Sequence, residues 1–165
     1  MTTTEYNIAV NDYSDRLLRY ALKLTRDKAW SEDLVQESMI KLWTNRDKVS
    51  PSHAKPFLYR VLYNKLIDDQ RKKKVRQFTT APTQNIKTNS NLETKDLIEK
   101  AFEQLNVNQK QIIMLRDWDG YSYEEIADIL ELALGVVKVQ LFRARKKMRA
   151  IVNSLNSEIK PCYEN

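Results

Sequence analysis

Apolar positions recur at helical spacing along most of the chain, in two sets separated by a polar stretch. In the first set, Tyr13, Leu17, Tyr20, Ala21 and Leu24 share one face of a helix predicted from about Tyr6 to Thr25. Arg16, Arg19 and Lys23 occupy another face, and Asp27, Lys28 and Ala29 form a break. A second helix is predicted from about Ser31, with Ser31 as its N-cap and Glu32 and Asp33 set against the helix dipole. Leu34, Val35, Met39, Leu42 and Trp43 form its apolar side, which leaves Asp33, Gln36, Glu37 and Lys41 facing out. Thr44 to Pro56 is a loop punctuated by Pro51 and Pro56. A third helix starts near Ala54 or Pro56, runs into the seventies and buries Leu58, Val61, Leu62 and Leu66.

From about Gln77 to Leu92 the periodicity stops. FTTAPTQNIKTNSN is rich in Thr, Asn and Gln and low in charge, the composition of a flexible linker. The second set begins near Glu93. Leu97, Ile98, Ala101, Phe102 and Leu105 predict a fourth helix. Asn106 or Asn108 caps a fifth, with Ile112, Ile113 and Leu115 buried, and Asp117-Trp118-Asp119-Gly120 turns the chain. In Tyr121–Arg149, Ser122 and Glu125 have the spacing of a capping box, so a helix begins there. Ile126, Ala127 and Leu130 are its buried face, and the small Ala127 lets another helix cross closely. After a turn at Glu131-Leu132-Ala133, Val137, Leu141, Ala144, Met148, Ile151 and Leu155 make one continuous seam along a long helix. Beyond Leu155 the chain is expected to fray. The predicted fold is all-α. Two small helical domains (1–76 and 93–156) are joined by a flexible polar linker (77–92), with a tail from 157 to 165, and the C-terminal domain is a helix-turn-helix.

Composition narrows the chemistry. Two glycines, Gly120 and Gly135, cannot make a phosphate-binding loop or a dinucleotide fingerprint. One histidine, His53, and one cysteine, Cys162, cannot supply a His/Cys zinc set or an intrachain disulfide. His53 is expected as a loop residue. The carboxylates sit at helix starts or beside lysines, as caps and solvated pairs do. No catalytic residue, metal or cofactor is expected, and the chain is not expected to be an enzyme. The polar MTTTEYN start lacks a signal-peptide core, no apolar stretch is long enough to span a bilayer, and the thiol count suits a reducing cytoplasm.

The net charge of +6 makes a polyanion a plausible partner. Opposite the C-terminal seam lie Arg143, Arg145, Lys146, Lys147 and Arg149. A helix pair followed by a basic helix is the arrangement that enters a DNA groove, although a solvated basic hairpin has the same pattern. On the third helix, Phe57, Tyr59 and Tyr63 interleave with Arg60 and Asn64 and lead into Gln70-Arg71-Lys72-Lys73-Lys74-Val75-Arg76. Cations suit a helix C-terminus in any case. Rings beside cations also suit single-stranded nucleic acid, where stacking contributes about 1–3 kcal/mol per base.

LRDWDGYSYEEIADIL…VKVQLFRARKKMR closely resembles the C-terminal domain of the extracytoplasmic-function group of bacterial sigma factors. SEDLVQESMIKLW (31–43) is similar to that family's polymerase-binding helix, and KPFLYRVLYNKLIDDQRKKK (55–74) to its promoter-melting helix. The three motifs stand in the family's order over nearly the whole chain. The resemblance implies that Asp33, Leu34, Gln36 and Glu37 meet the clamp helices of the polymerase large subunit. It implies that the loop around Arg46, Lys48 and Ser50 takes up a flipped minus-10 base. Phe57, Tyr59, Arg60, Tyr63, Asn64 and Asp68 would lie on the melting helix, and Arg71, Lys72, Lys73 and Lys74 would meet backbone phosphate. The implied energetics are those of base extrusion, a cost of a few kcal/mol offset by pocket contacts. The linker would thread the polymerase channel, the C-terminal unit would seat on the polymerase flap, and the last helix would read the minus-35 element. An anti-sigma factor is a partner of the kind the family often has.

The last helix departs from the family's Gly-Ile-Ser-Glu-Gly-Thr-Val-Lys-Ser-Arg. Glu131 replaces the turn glycine, so a left-handed residue there would cost about 1–2 kcal/mol. Ala133 replaces the Ser cap, a loss of about 1 kcal/mol. Leu134, Val136 and Val139 replace polar groups and should be exposed, beside Lys138, Gln140, Arg143, Lys146 and Lys147. This helix therefore either reads the minus-35 element weakly or docks a DNA-bound partner protein. The alternative function is a stand-alone helix-turn-helix regulator. The first eighty residues, which carry no sensor or phospho-acceptor pattern, argue against it.

Overall fold

In the computed structural model the backbone is described over residues 1–77 and 94–159, and side chains over 1–72 and 96–157. Residues 78–92 of the expected linker, the side chains of Lys73, Lys74 and Arg76, and residues 160–165 of the expected tail, Cys162 among them, lie outside the described residues. The chain divides into two compact units, one of N-terminal and one of C-terminal helices.

The first unit holds α1 (Thr3–Thr25), α2 (Lys28–Thr44), a 3₁₀ turn (Pro51–His53) and α3 (Ala54–Gln77), each packed against the other two helices. α1 begins earlier than the apolar pattern predicts because Thr2 and Glu5 form a capping box that satisfies two free N–H groups. It ends where Arg26 turns left-handed (φ 56°). α2 then starts at Lys28, not Ser31. Asp27 is the N-cap and accepts from the Trp30 N–H at 3.0 Å. Ser31 lies inside the helix, buried, with its Oγ donating to the Asp27 carbonyl at 2.7 Å and 2.6 Å from the Thr25 Oγ. The core is Leu17, Tyr20, Ala21 and Leu24 against Leu34, Met39 and Leu42, and against Leu58, Tyr59, Leu62 and Leu66.

The second unit holds α4 (Thr94–Glu103), α5 (Val107–Ile113), a π turn (Met114–Trp118), α6 (Tyr123–Leu130) and α7 (Leu134–Ile159). Asn106 caps α5 in a capping box with Gln109, which settles the choice left open by the sequence. Ile98, placed in the core by periodicity, is exposed. Gly120 carries the chain into α6 with φ 73°. The Ser122–Glu125 capping box opens α6 as the spacing predicts. α7 packs on α4 and α5 through Val137, Leu141 and Ala144, and its helix continues past Leu155 to Ile159.

Candidate polymerase and nucleic-acid interfaces

On α2 the four residues assigned to polymerase contact separate. Asp33 and Gln36 are exposed on one face. Leu34 is 1% exposed and belongs to the core, so its assignment to a contact surface is corrected: its side chain is closed off from solvent in the helix that packs on both α1 and α3. Glu37 stands between the two conditions. Lys65 of α3 donates to its carboxylate at 2.9 Å, and Lys41 lies 3.5 Å away. The bond from Lys65 holds the Glu37 carboxyl below its usual range, and the bond to Glu37 raises Lys65. Lys65 also lies 3.8 Å from Asp69, which accepts from the Trp30 indole N–H at 3.3 Å. These groups tie α2 to α3 by a polar strap that the sequence reading missed. Its contacts span 28 and 39 positions, so no local pattern announces them.

The loop after α2 is only partly available to a base. Arg46 folds back, its guanidinium 4.4 Å from the centre of the Trp43 ring and donating to the Trp43 carbonyl at 3.1 Å. The Tyr6 ring meets the same Trp43 edge-on at 4.9 Å. Lys48 and Ser50 are exposed, with the Ser50 Oγ 2.8 Å from His53 Nδ1. His53, expected in a loop, closes the 3₁₀ turn that leads into α3.

On α3 Tyr59 is 0% exposed and meets Tyr20 of α1 edge-on at 5.0 Å. Its assignment to base contact is corrected, because it braces α1 against α3. Phe57, Arg60 and Tyr63 are half-buried and Asn64 is exposed. The Arg60 guanidinium sits 5.8 Å from the centre of the Phe57 ring. Burial pushes the Tyr63 hydroxyl up to about 12, so it stays protonated at any physiological pH. Arg71 and Lys72 are exposed, with Arg71 4.0 Å from Asp68.

In the second unit Glu131 takes the left-handed conformation (φ 53°, ψ 43°) inferred for the missing glycine, and caps α6. Ala133 offers only its carbonyl, which accepts from Val136 and Val137 at 2.9 and 3.1 Å. Leu134, Val136 and Val139 are exposed, as are Lys138, Arg143, Lys146 and Lys147, and Gln140 is half-buried. Lys138 lies 5.8 Å from the centre of the Tyr123 ring. Arg145 is not an open cation. Its Nε donates to Asp117 Oδ2 at 3.1 Å and its Nη2 to Oδ1, which raises its pKa.

Residues 9–76 match sigma-70 region 2, and residues 95–148 match sigma-70 region 4. RNA polymerase sigma factor SigV of Bacillus subtilis is 30% identical over 143 residues, covering 85% of this chain and 86% of its own. The chain belongs to the sigma-70 family of RNA polymerase sigma factors. Similar relatives carry the extracytoplasmic-function name. SigL of Mycobacterium tuberculosis is 29% identical over 155 residues (88% of this chain, 87% of its own). SigM of Bacillus subtilis is 28% identical over 162 residues (93% and 96%). The sigma factor RpoE of Bartonella quintana, solved with the anti-sigma factor NepR, shares the fold. Its TM-score is 0.73 at 24% identity, over 92% of this chain and 98% of that one.

This sigma factor also exposes two large apolar side chains on these faces that the sequence reading passed over. Phe142 is 67% exposed on α7, and Ile40 is exposed on α2 among Asp33, Gln36 and Glu37. Both were legible: Ile40 falls four residues after Gln36, and Phe142 three after Val139, on faces already assigned outward.

Proposed function

We propose that this sigma factor directs promoter-specific initiation with its two units doing separate work. The first unit binds the clamp helices of core RNA polymerase through α2. Asp33 and Gln36 make the contact, and Glu37 is held in place by Lys65. α3 opens the minus-10 element. Phe57, Tyr63 and Arg60 offer ring faces and a planar cation to unstacked bases, Asn64 offers hydrogen bonds, and Arg71 and Lys72 hold phosphate. Lys48 and Ser50 in the preceding loop border the base that leaves the stack. Residues 77–92 thread the polymerase, and the C-terminal unit seats on the flap. Its α7 either reads the minus-35 element weakly or docks a partner protein that supplies the DNA targeting. An anti-sigma factor, such as accompanies the Bartonella relative, is a further partner of the kind expected in the cytoplasm where the polymerase works.

The observation that carries this reading is the placement of Asp33 and Gln36. Both are exposed on one face of the helix whose opposite face, Leu34, Met39 and Leu42, closes the core of the unit. The exposed pair is therefore spared from folding and available for binding. The test is co-purification of tagged full-length protein with core polymerase. Asp33→Ala/Gln36→Ala should lose the polymerase while keeping wild-type helicity, and full retention would overturn the assignment. Footprinting the unaided holoenzyme on a pool of random promoters tests α7: strong minus-35 selection would remove the docking alternative.

A further inference from the structure

Three exposed apolar side chains rise along α7 at three-residue intervals: Val136 (41% exposed), Val139 (48%) and Phe142 (67%). The buried seam of Val137, Leu141 and Ala144 fixes the rotation of the helix. At about 100° per residue, Val139 and Phe142 then point away from the seam, with Val136 beside them. Over six residues the row is about 9 Å long. Residues three apart form a ridge oblique to the helix axis, the kind that fits the groove of a second helix. The ridge is rimmed by exposed cations. Lys138 and Lys146 stand four residues before and after Phe142, and Arg143 stands four after Val139, with Lys147 beyond. Arg145, which would add to a phosphate contact, is already closed onto Asp117.

DNA is a poor match for this face. A single valine can meet a thymine methyl. The base edges are met by the first residues of a recognition helix; Val136 and Val139, third and sixth in α7, stand there without a hydrogen-bonding group, and Phe142 is the ninth. A contiguous exposed apolar row that ends in an aromatic and is rimmed by polar groups marks a protein interaction site. The cationic rim sets the sign of the partner.

We infer that the Val136–Val139–Phe142 ridge of α7 docks an amphipathic protein helix whose apolar stripe is flanked by Asp and Glu. The inference deepens the docking alternative for α7 and rests on the initiation-factor reading only for its setting. The docked helix and duplex DNA share the same lysines and arginines, so they exclude one another.

The experiment uses the full-length protein and a synthetic helical peptide of about 20 residues, with Leu at i, i+3, i+4 and i+7 and Glu on both flanks. A control peptide has the same Leu face and Lys flanks. Binding is read by fluorescence anisotropy. The Glu-flanked peptide should bind, the Lys-flanked peptide should not, and random-sequence duplex should displace the bound peptide. Val139→Ser/Phe142→Ser, both at exposed positions, should weaken the Glu-flanked peptide at least tenfold with helicity unchanged. No binding of the Glu-flanked peptide, equal binding of both peptides, coexistence of peptide and duplex, or indifference to the double substitution would each overturn the inference. So would a thymine-rich minus-35 footprint of the unaided holoenzyme that the double substitution erases, because the ridge would then read DNA. Retention of core polymerase by the wild-type protein is scored in parallel. Its loss would sink the initiation-factor reading, whereas retention without peptide binding would sink the ridge inference alone.

Discussion

Replacing Glu131 with glycine should make the C-terminal unit more stable. Glu131 caps α6 with φ 53° and ψ 43°, a region where a Cβ crowds the following carbonyl. That crowding costs about 1–2 kcal/mol, and glycine does not bear it. Glycine also loosens the unfolded chain, which returns about 0.4–1 kcal/mol. The net gain for Glu131→Gly is then about 1 kcal/mol, or roughly fivefold in the folded-to-unfolded ratio. Native-state hydrogen exchange resolves it, because the amides of Val137 and Leu141 lie in the helix that follows Glu131. Their protection should rise about fivefold, as one factor for the whole helix pair. Glu131→Ala is the control, since it removes the carboxylate and keeps the Cβ. The difference between Gly and Ala isolates the backbone term. If the Gly protein were no better protected than the Ala protein, the left-handed residue would not be a source of strain and the reasoning would fail.

Three other outcomes follow from the first unit. Leu34→Ala should cost about 2–5 kcal/mol in urea melts, as buried leucines do, while Asp33→Ala should stay within about 0.5 kcal/mol. The Glu37–Lys65 pair should make its stabilisation pH-dependent at both ends. Glu37 is lowered, so its contribution is complete above the normal carboxylate range and lost as pH falls through its folded pKa. Lys65 is raised, so its contribution is complete below the normal lysine value and lost as pH rises through its folded pKa. The stability difference between wild type and Lys65→Met should be about 0.5–1 kcal/mol near neutrality for so exposed a pair, and should shrink toward both extremes. Arg71→Gln and Lys72→Gln should each flatten the salt dependence of promoter binding by about 0.7–0.9 in log–log slope; an unchanged slope would return those cations to solvent.

What the sequence disclosed and what it hid divide along physical lines. Caps are local, so the Ser122–Glu125 box was readable from spacing alone. The first half of the α7 seam, Val137, Leu141 and Ala144, was readable because burial repeats with the helix period, whereas Met148, Ile151 and Leu155 are only half-buried. Glu131 was readable too, since a missing glycine leaves the demand for a left-handed residue in place. The start of α2 was not. Asp27 and Ser31 are both competent caps one turn apart, and the left-handed Arg26 that decides between them carries no signature in a non-glycine residue. Tyr59 misled for a different reason. It sits between polar and aromatic neighbours that resemble a stacking surface, but it lies in the core, where Tyr20 meets it from another helix. Glu37 likewise looked open until Lys65 closed on it from α3.

The division of α7 into a fixed and a free side has a consequence for how such proteins diversify. Val137, Leu141 and Ala144 are committed to folding, whereas positions 136, 139 and 142 lie opposite or beside that commitment. Substitutions at exposed positions typically change stability by less than about 0.5 kcal/mol. The outward row therefore behaves as an interchangeable cassette. A library randomised at those three positions should yield mostly folded proteins that differ in what they hold. New partners would then be reachable one residue at a time, without passing through an unfolded ancestor.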